Sequence, residues 1–276
     1  LLLSVVIRIP NLDRPLSYGF ESVTAHTLIT LQSWDRDGIL QHGFSPVYTF
    51  SHEADKHISC PPSGISNPEG VYYYFSYPPF SFLLPYGVLK GLRISVTPLS
   101  LQGFNMVLHG LCAWFLYLLI YRETAEQSGL LPAFIGYATY LLMPITLWNH
   151  ANVYFADIAV QLFLITGLLS FRQYLRQPQL ANYSLTGLLL SVFLACYTEW
   201  IGFLFAATLV CILLFKRNRL AATSVGIAAA LALCLMMLQY SKMIGPDVLI
   251  DLLTQRVRQR SGMEASFSPY TKASFI

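Results

Sequence analysis

The sequence predicts an all-α membrane protein with about seven transmembrane helices and a long first extracytoplasmic loop that carries interfacial helices. Apolar residues make up 55% of the 276 residues and charged residues only 11%, whereas a soluble globular domain carries about 25% charged residues. Of the 17 basic and 14 acidic side chains, thirteen lie in residues 1–100, and long stretches of the remainder carry none. Because a transmembrane helix needs about 20 predominantly apolar residues, this distribution excludes an ordinary soluble domain.

The same composition narrows the classes of partner. A net charge of +3, scattered along the chain, argues against a nucleic-acid-binding protein. Four of the five cysteines lie in apolar runs and only Cys60 lies in a polar one, so we expect no intrachain disulfide framework. The expected partners are therefore membrane lipids, with membrane proteins as further candidates.

Four regions follow one another along the chain. Residues 1–7 are predicted to be the end of a first transmembrane helix whose beginning is missing, and residues 8–98 the extracytoplasmic loop. Residues 99–241 are predicted to form a bundle of six transmembrane helices, and residues 242–276 an extracytoplasmic tail that we expect to be truncated. The six helices correspond to the apolar runs 100–121, 130–156, 158–171, 178–198, 201–215 and 220–241.

The basic residues of the short loops predict the orientation of this bundle. Short loops with many Lys and Arg residues stay in the cytoplasm, and alternate loops hold all six basic residues of the bundle. Residues 77–92 are apolar enough to form a further span, but that span would turn the six residues outward and leave only Lys90 and Arg93 inside. The predicted cytoplasmic residues are Arg122, Arg172, Arg176, Lys216, Arg217 and Arg219.

We therefore predict that residues 77–92 form an interfacial helix on the outer surface. Pro78, Pro79 and Pro85 disfavour a regular helix across the membrane. Tyrosine and phenylalanine residues are also concentrated here, as is typical of a chain that lies in a headgroup layer.

Two carboxylates at the outer surface are candidates for catalysis. Glu21 stands alone at the start of a predicted helix over residues 21–34. Asp157 begins an apolar helix at the outer edge of the bundle, where a carboxylate either faces a cavity or stabilises the positive end of the helix dipole. Both alternatives stay open. The other loop acids, such as Asp35 and Asp37, are expected to be solvated.

Basic and metal-binding side chains are the remaining candidates. Arg14, Lys90 and Arg93 are predicted to lie near the membrane surface, where they either contact a phosphate or extend to lipid headgroups. Several metal-binding residue types also crowd one stretch of the loop, so a divalent metal is an alternative to ordinary surface histidines, although no ligand is assigned. No other cofactor is predicted. The residues of that stretch are His42, His52, Glu53, Asp55, His57 and Cys60.

The order of these features resembles the GT-C glycosyltransferases, a family that includes the protein O-mannosyltransferases and the lipid A aminoarabinose transferase. The stretch Pro-Leu-Ser-Tyr-Gly-Phe-Glu that ends at Glu21 is similar to the family's Pro-Leu-x-Tyr-Asp-Glu motif. The stretch Ser-Tyr-Pro-Pro-Phe that begins at Ser76 is similar to its Lys/Tyr-Pro-Pro element, and Asp157 falls where the family has a second outer acid. The resemblance implies a first span, a long outer loop with surface helices and six further spans.

The resemblance also implies an activity. Such an enzyme moves a sugar from a polyprenyl phosphate to an acceptor on the extracytoplasmic side of a membrane, which we expect to be the bacterial cytoplasmic membrane. Glu21 would take a proton from the acceptor, and Asp157 would lie in the same site. The implied substrate-binding residues are Tyr77, Pro78, Pro79, Lys90 and Arg93.

One departure from the family motif leaves an alternative open. Where the family has Asp before Glu, this sequence has Phe20 before Glu21. Either Glu21 replaces that Asp as the base, or the chain is a catalytically inactive scaffold or accessory subunit of a membrane complex. A transporter is disfavoured, since no predicted span contains the paired charges or the broken helix that ion coupling uses.

Overall fold

A computed structural model of the chain describes residues 1–12, 21–50, 52–56, 64–147, 154, 156–177, 179 and 181–260. These residues form a bundle of helices that is covered at one end by a folded layer, the cap (residues 21–97). Strands β1 (Gly64–Ser66) and β2 (Tyr72–Tyr74) form an antiparallel hairpin in the cap. The helices are α1 (Leu2–Arg8), α2 (Glu21–Ser33), α3 (Phe80–Gly91), α4 (Pro98–Ser128), α5 (Leu131–Leu142), α6 (Ala156–Arg176), α7 (Ala181–Thr198), α8 (Ile201–Phe215), α9 (Arg219–Ile244) and α10 (Pro246–Arg260).

Four of the described helices, α4, α6, α7 and α9, are long and apolar enough to cross a membrane. This finding rests on length and composition, and it is consistent with a mostly helical integral membrane protein. Helices α5 and α8 have 12 and 15 residues and are apolar but shorter. A helix overlaps each of the six predicted runs of the bundle, while the total of seven crossings stays a prediction.

Local sequence explains where several of these helices begin and end. Before α4, the Thr97 hydroxyl accepts a hydrogen bond from the Ser100 N–H at 3.1 Å, and the Ser100 hydroxyl accepts one from the Thr97 N–H at 2.9 Å, which is a capping box. Helix α5 ends where Met143, which precedes Pro144, has an extended ψ of 128°, because a following proline disfavours helical geometry. Helix α9 ends at Gly245, whose φ is 84°.

The cap rests on the ends of bundle helices. The Trp200 indole N–H, just before α8, donates a hydrogen bond to the Ser76 carbonyl at 2.7 Å. The Tyr240 hydroxyl, near the end of α9, donates to the Tyr77 carbonyl at 2.5 Å. The chain segment that leads into α3 is therefore fixed to the turn between α7 and α8 and to the last turns of α9.

Helix α3 lies within the predicted interfacial region. Its 12 residues extend about 18 Å, which is short of the roughly 30 Å of a hydrocarbon core. Phe82 and Leu89 are buried, and the helix packs against α2, α4, α6 and α7. The structure thus makes residues 80–91 a packed helix of the cap, and its location at a membrane surface stays a prediction.

The other end of the bundle carries the basic residues, and we call it the basic end. It comprises the C-terminal ends of α4, α6 and α8 and the N-terminal end of α9. The Asn218 side-chain amide donates a hydrogen bond to the Tyr174 hydroxyl at 2.7 Å, which joins the start of α9 to the end of α6. All six residues predicted to be cytoplasmic lie here, opposite the cap. This separation agrees with the predicted topology, although the side of the membrane is not determined by it.

Helix α10 occupies the first half of the region predicted as a tail. It begins at Pro246, and proline is favourable at the first position of a helix. Leu249 and Leu252, three residues apart, are buried against the hydrophobic core, as expected for one face of an amphipathic helix. This helix is not among those predicted from the sequence.

Candidate functional site

Glu21 begins α2 and is buried, with 4% of its surface exposed. One turn later, the Thr24 hydroxyl accepts a hydrogen bond from the Tyr154 N–H at 2.9 Å. Tyr154 lies two residues before α6, so this bond joins the first turn of α2 to the start of α6. Because residues three apart share a helix face, Glu21 lies on the face of α2 that meets α6.

Asp157 is the second residue of α6 and is exposed, while its neighbours Ala156 and Ile158 are buried. Gln161 lies one turn deeper on the same face of α6, and its side-chain oxygen accepts a hydrogen bond from the Tyr140 hydroxyl of α5 at 2.6 Å. The Asp157 face of α6 is therefore turned toward α5. The two carboxylates predicted from sequence lie at the starts of α2 and α6, which the bond between Thr24 and Tyr154 connects at the cap end of the bundle.

A buried guanidinium lies at the same end, in α1. Arg8 is only 2% exposed, and its Nε and Nη2 atoms have no hydrogen-bond partner among the described residues. Helix α1 runs antiparallel to α4, because the Gln102 amide donates to the Asn11 carbonyl at 3.5 Å and the Leu1 side chain lies against Gly110. Arg8 is thus inside the bundle, a few residues below the start of α4.

Arg8 belongs to a polar cluster that lies between α1, α4, α5 and α6. Its charge interacts with Tyr140, and the rings of Tyr140 and His109 stack with their centroids 4.9 Å apart. Asn105 is one turn from His109 on α4, and both are completely buried. Polar side chains in apolar helices are costly and mark functional sites. The polar cluster comprises Arg8, Asn105, His109, Tyr140 and Gln161.

A small pocket of about 120 Å³ separates the cap from the start of α6. In it, His26 meets the rings of Tyr48, Tyr74 and Phe82 edge-on at 3.0, 4.8 and 5.2 Å between centroids. Burial lowers the pKa of His26 well below its usual value, and its Nε2 atom has no hydrogen-bond partner among the described residues. The imidazole is therefore held neutral among aromatic rings.

The predicted Tyr-Pro-Pro element adjoins this pocket. Tyr77 lines it, and Pro78 and Pro79 are buried just before α3. The Ser81 hydroxyl donates to the Pro78 carbonyl at 2.9 Å, and the Tyr154 hydroxyl donates to the Ser81 carbonyl at 2.5 Å. The structure thus brings the Tyr-Pro-Pro element to the start of α6, where the first turn of α2 also lies.

Lys90 and Arg93 lie at the opposite end of α3. Both are exposed, and Lys90 forms an ion pair with Asp35. The eleven residues from Pro79 to Lys90 correspond to about 16 Å of helix, so the structure does not bring these two cations to the start of α6. Their predicted contact with a phosphate stays a prediction.

The histidines of the cap do not assemble a metal site in the part of the chain that the structure describes. His42 is 5% exposed, with its Nδ1 atom 3.1 Å from the Tyr73 hydroxyl and its Nε2 atom 3.5 Å from an oxygen of Asp37. The His52 imidazole accepts a hydrogen bond from the Ala54 N–H at 3.2 Å, at the start of the 3-10 turn Glu53–Asp55. His57 and Cys60 lie outside the described residues, as do Arg14 and Phe20.

Neither Arg8 nor His26 is among the site residues predicted from the sequence. Arg8 falls at the boundary between the predicted first helix and the loop, and it is the single charged residue among residues 1–12. A lone charge in an apolar helix is a functional signal. His26 carries no comparable signal, because its surroundings come from β2, α3 and the loop before β1. Only the folded cap places those rings around it.

No protein-family model, no curated protein and no solved structure matches this chain. Its function therefore has to be inferred from its residues and their geometry.

Proposed function

We propose that the chain is a membrane glycosyltransferase that moves a sugar from a polyprenyl phosphate to an acceptor at the cap end of the bundle. Glu21 acts as the base, Asp157 orients the acceptor, and Arg8 binds the phosphate of the donor. The Tyr-Pro-Pro element contacts the polyprenyl chain. In this proposal Arg8 takes the phosphate-binding role predicted for Lys90 and Arg93.

The observation that supports this function best is the buried Arg8 guanidinium with two nitrogen atoms free of hydrogen-bond partners among the described residues. A buried charge without a partner is strongly unfavourable. A phosphate supplies both the opposite charge and oxygen atoms that match the planar donors of a guanidinium. An anionic ligand at this position would therefore satisfy Arg8 where the described chain does not.

The chemistry of the transfer requires little beyond these groups. The acceptor oxygen or nitrogen forms a bond to the anomeric carbon while the bond from that carbon to the phosphate oxygen breaks. The acceptor proton moves to the Glu21 carboxylate, and the polyprenyl phosphate leaves with its negative charge stabilised by Arg8. Since phosphate is a good leaving group, a covalent nucleophile is not needed.

An inactive scaffold or accessory subunit is the alternative function. Phe20, in place of the acid expected before Glu21, favours it. The two functions differ in whether the Glu21 carboxylate is required for turnover.

The test is the release of polyprenyl phosphate by the purified chain in lipid nanodiscs, with a panel of polyprenyl-phosphate hexoses as donors and a panel of hydroxyl and amine compounds as acceptors. We expect Glu21→Gln, which keeps the shape of the side chain, to lower the transfer rate by about two to four orders of magnitude. Glu69→Gln, at an exposed acid of the cap, is the matched control and should leave the rate unchanged. Full activity of Glu21→Gln would overturn the assignment, and a wild-type chain that releases no polyprenyl phosphate would favour the scaffold.

A further inference from the structure

A groove at the basic end, far from the proposed active site, has the features of a lipid-binding site. It lies between the C-terminal halves of α4 and α6 and has a volume of about 360 Å³. We call it the basic groove. It is lined by Leu119, Arg122, Glu123, Leu169, Arg172, Gln173, Arg176 and Gln177.

The basic groove holds more positive charge than its own carboxylate neutralises. Arg172 donates two hydrogen bonds to Glu123, and Arg176 donates one at 2.8 Å. Among the described residues, Arg122 donates to the neutral side chain of Gln173, at 3.4 Å. With one carboxylate against three guanidinium groups among the lining residues, the groove carries a net charge of +2.

The arrangement of polar and apolar residues follows the direction of the two helices. Leu119 lies one turn deeper in α4 than Glu123, and Leu169 lies about two turns deeper in α6 than Arg176. Both α4 and α6 are long and apolar enough to cross a membrane, and the groove lies where they end. Charged groups therefore lie at the level of a membrane surface, with an apolar wall directly below them.

We propose that the basic groove binds an anionic phospholipid, with its phosphate against Arg122 and Arg176 and the start of one acyl chain along Leu119 and Leu169. A net charge of +2 favours an anionic headgroup over a zwitterionic one, whose ammonium group would be repelled. Basic pockets between transmembrane helices bind anionic headgroups for this reason. The Glu123 ion pairs hold Arg172 and Arg176 in place and so preorganise the groove.

Native mass spectrometry of the full chain, with phosphatidylglycerol and phosphatidylcholine added in turn, tests this proposal. We expect phosphatidylglycerol to bind more tightly than phosphatidylcholine. The double variant Arg122→Gln/Arg176→Gln should bind phosphatidylglycerol roughly 30-fold more weakly, since each arginine near a membrane surface contributes a factor of about five. This double variant keeps Arg172 and its hydrogen bonds to Glu123.

The matched control is Lys216→Gln/Arg217→Gln, which removes two exposed charges of the basic end that do not line the groove. It should weaken binding by less than about threefold. Equal binding of the two lipids, equal weakening by the two double variants, or saturation of the groove by inorganic phosphate alone would overturn the proposal. Glycosyl transfer does not enter this measurement, so the result is independent of the proposed function.

Discussion

The two ends of the bundle hold their charges in opposite ways. At the basic end, Glu123 is bound by Arg172 and Arg176, and all three side chains are partly exposed. At the cap end, Glu21 and Arg8 are buried, and Arg8 has two nitrogen atoms without a partner among the described residues. Exposed ion pairs change the free energy of unfolding by about 0 to 1 kcal/mol, whereas a buried charge without a partner is strongly destabilising.

This difference favours the cap end as the end that binds a reacting ligand. A chain gains no stability from burying Arg8 in an apolar helix, so an interaction beyond those of the described residues has to offset the cost. The basic end needs no such explanation for its stability, because water and headgroups solvate its charges. We therefore propose catalysis at the cap end and lipid binding at the basic end.

The largest expected effect comes from removing one positive charge from each end. Arg8→Gln should weaken the binding of polyprenyl phosphate by roughly one to two orders of magnitude, because it removes charge-assisted hydrogen bonds to the phosphate. Arg217→Gln, at the basic end, should leave that binding unchanged. Titration of polyprenyl phosphate against the chain in nanodiscs measures both, and equal affinities of the two variants would remove Arg8 from the site.

Hydropathy and charge were sufficient to predict the helices of the bundle, because uncharged runs have to be buried in lipid or protein. They did not predict the end of α5, where Pro144 interrupts the run 130–156. Nor did they predict α10, since its many charged and polar residues hide the buried face formed by Leu249 and Leu252.

The candidate site was only partly accessible to sequence reasoning. Glu21, Asp157 and the Tyr-Pro-Pro element were identified from their positions and from a family resemblance. The surroundings of Arg8 depend on α4, α5 and α6, which are separated from it by about a hundred residues or more of sequence. Local patterns carry no information about such contacts, so whether a charge is paired cannot be determined without the fold.

A second comparison concerns how tightly the helices pack beneath the cap and elsewhere. A Cβ atom added at Gly202 would lie 2.3 Å from the backbone of Ala195, whereas one added at Gly226 would meet nothing within 4 Å. Gly202→Ala should lower the free energy of unfolding by about 1 to 3 kcal/mol through overpacking between α7 and α8. Gly226→Ala, within α9, should raise it by about 0.5 to 1 kcal/mol through helix propensity.

Thermal unfolding of both glycine variants in the same detergent measures this difference. A Gly202→Ala chain as stable as the wild type would show that the turn between α7 and α8 can relax. The close contact between Gly202 and Ala195 would then not be the cause of the fixed position of Trp200 against the cap.

The smallest expected effect concerns the pH dependence of the cap. Burial lowers the pKa of His26, so the folded cap favours the neutral imidazole. The resulting stability is present above the unfolded pKa of about 6.5 and is lost as the pH falls toward the lower pKa of the folded state. The melting temperature should therefore decrease between pH 7.5 and 5, and less so in His26→Phe than in the wild type.

Leu40→Ala is the control for this measurement, because it changes an exposed side chain of the same cap and removes no titratable group. Its pH dependence should match that of the wild type. Identical curves for His26→Phe and the wild type would mean that His26 does not titrate with unfolding.

The most direct test of the central claim is the position of the donor phosphate. A cryo-EM structure of the chain with bound polyprenyl phosphate should show the phosphate within hydrogen-bond distance of the Arg8 guanidinium, with the polyprenyl chain along Tyr77, Pro78 and Pro79. A phosphate bound instead at Lys90 and Arg93, or at the basic end, would contradict the assignment of the reactive site to the polar cluster at the cap end.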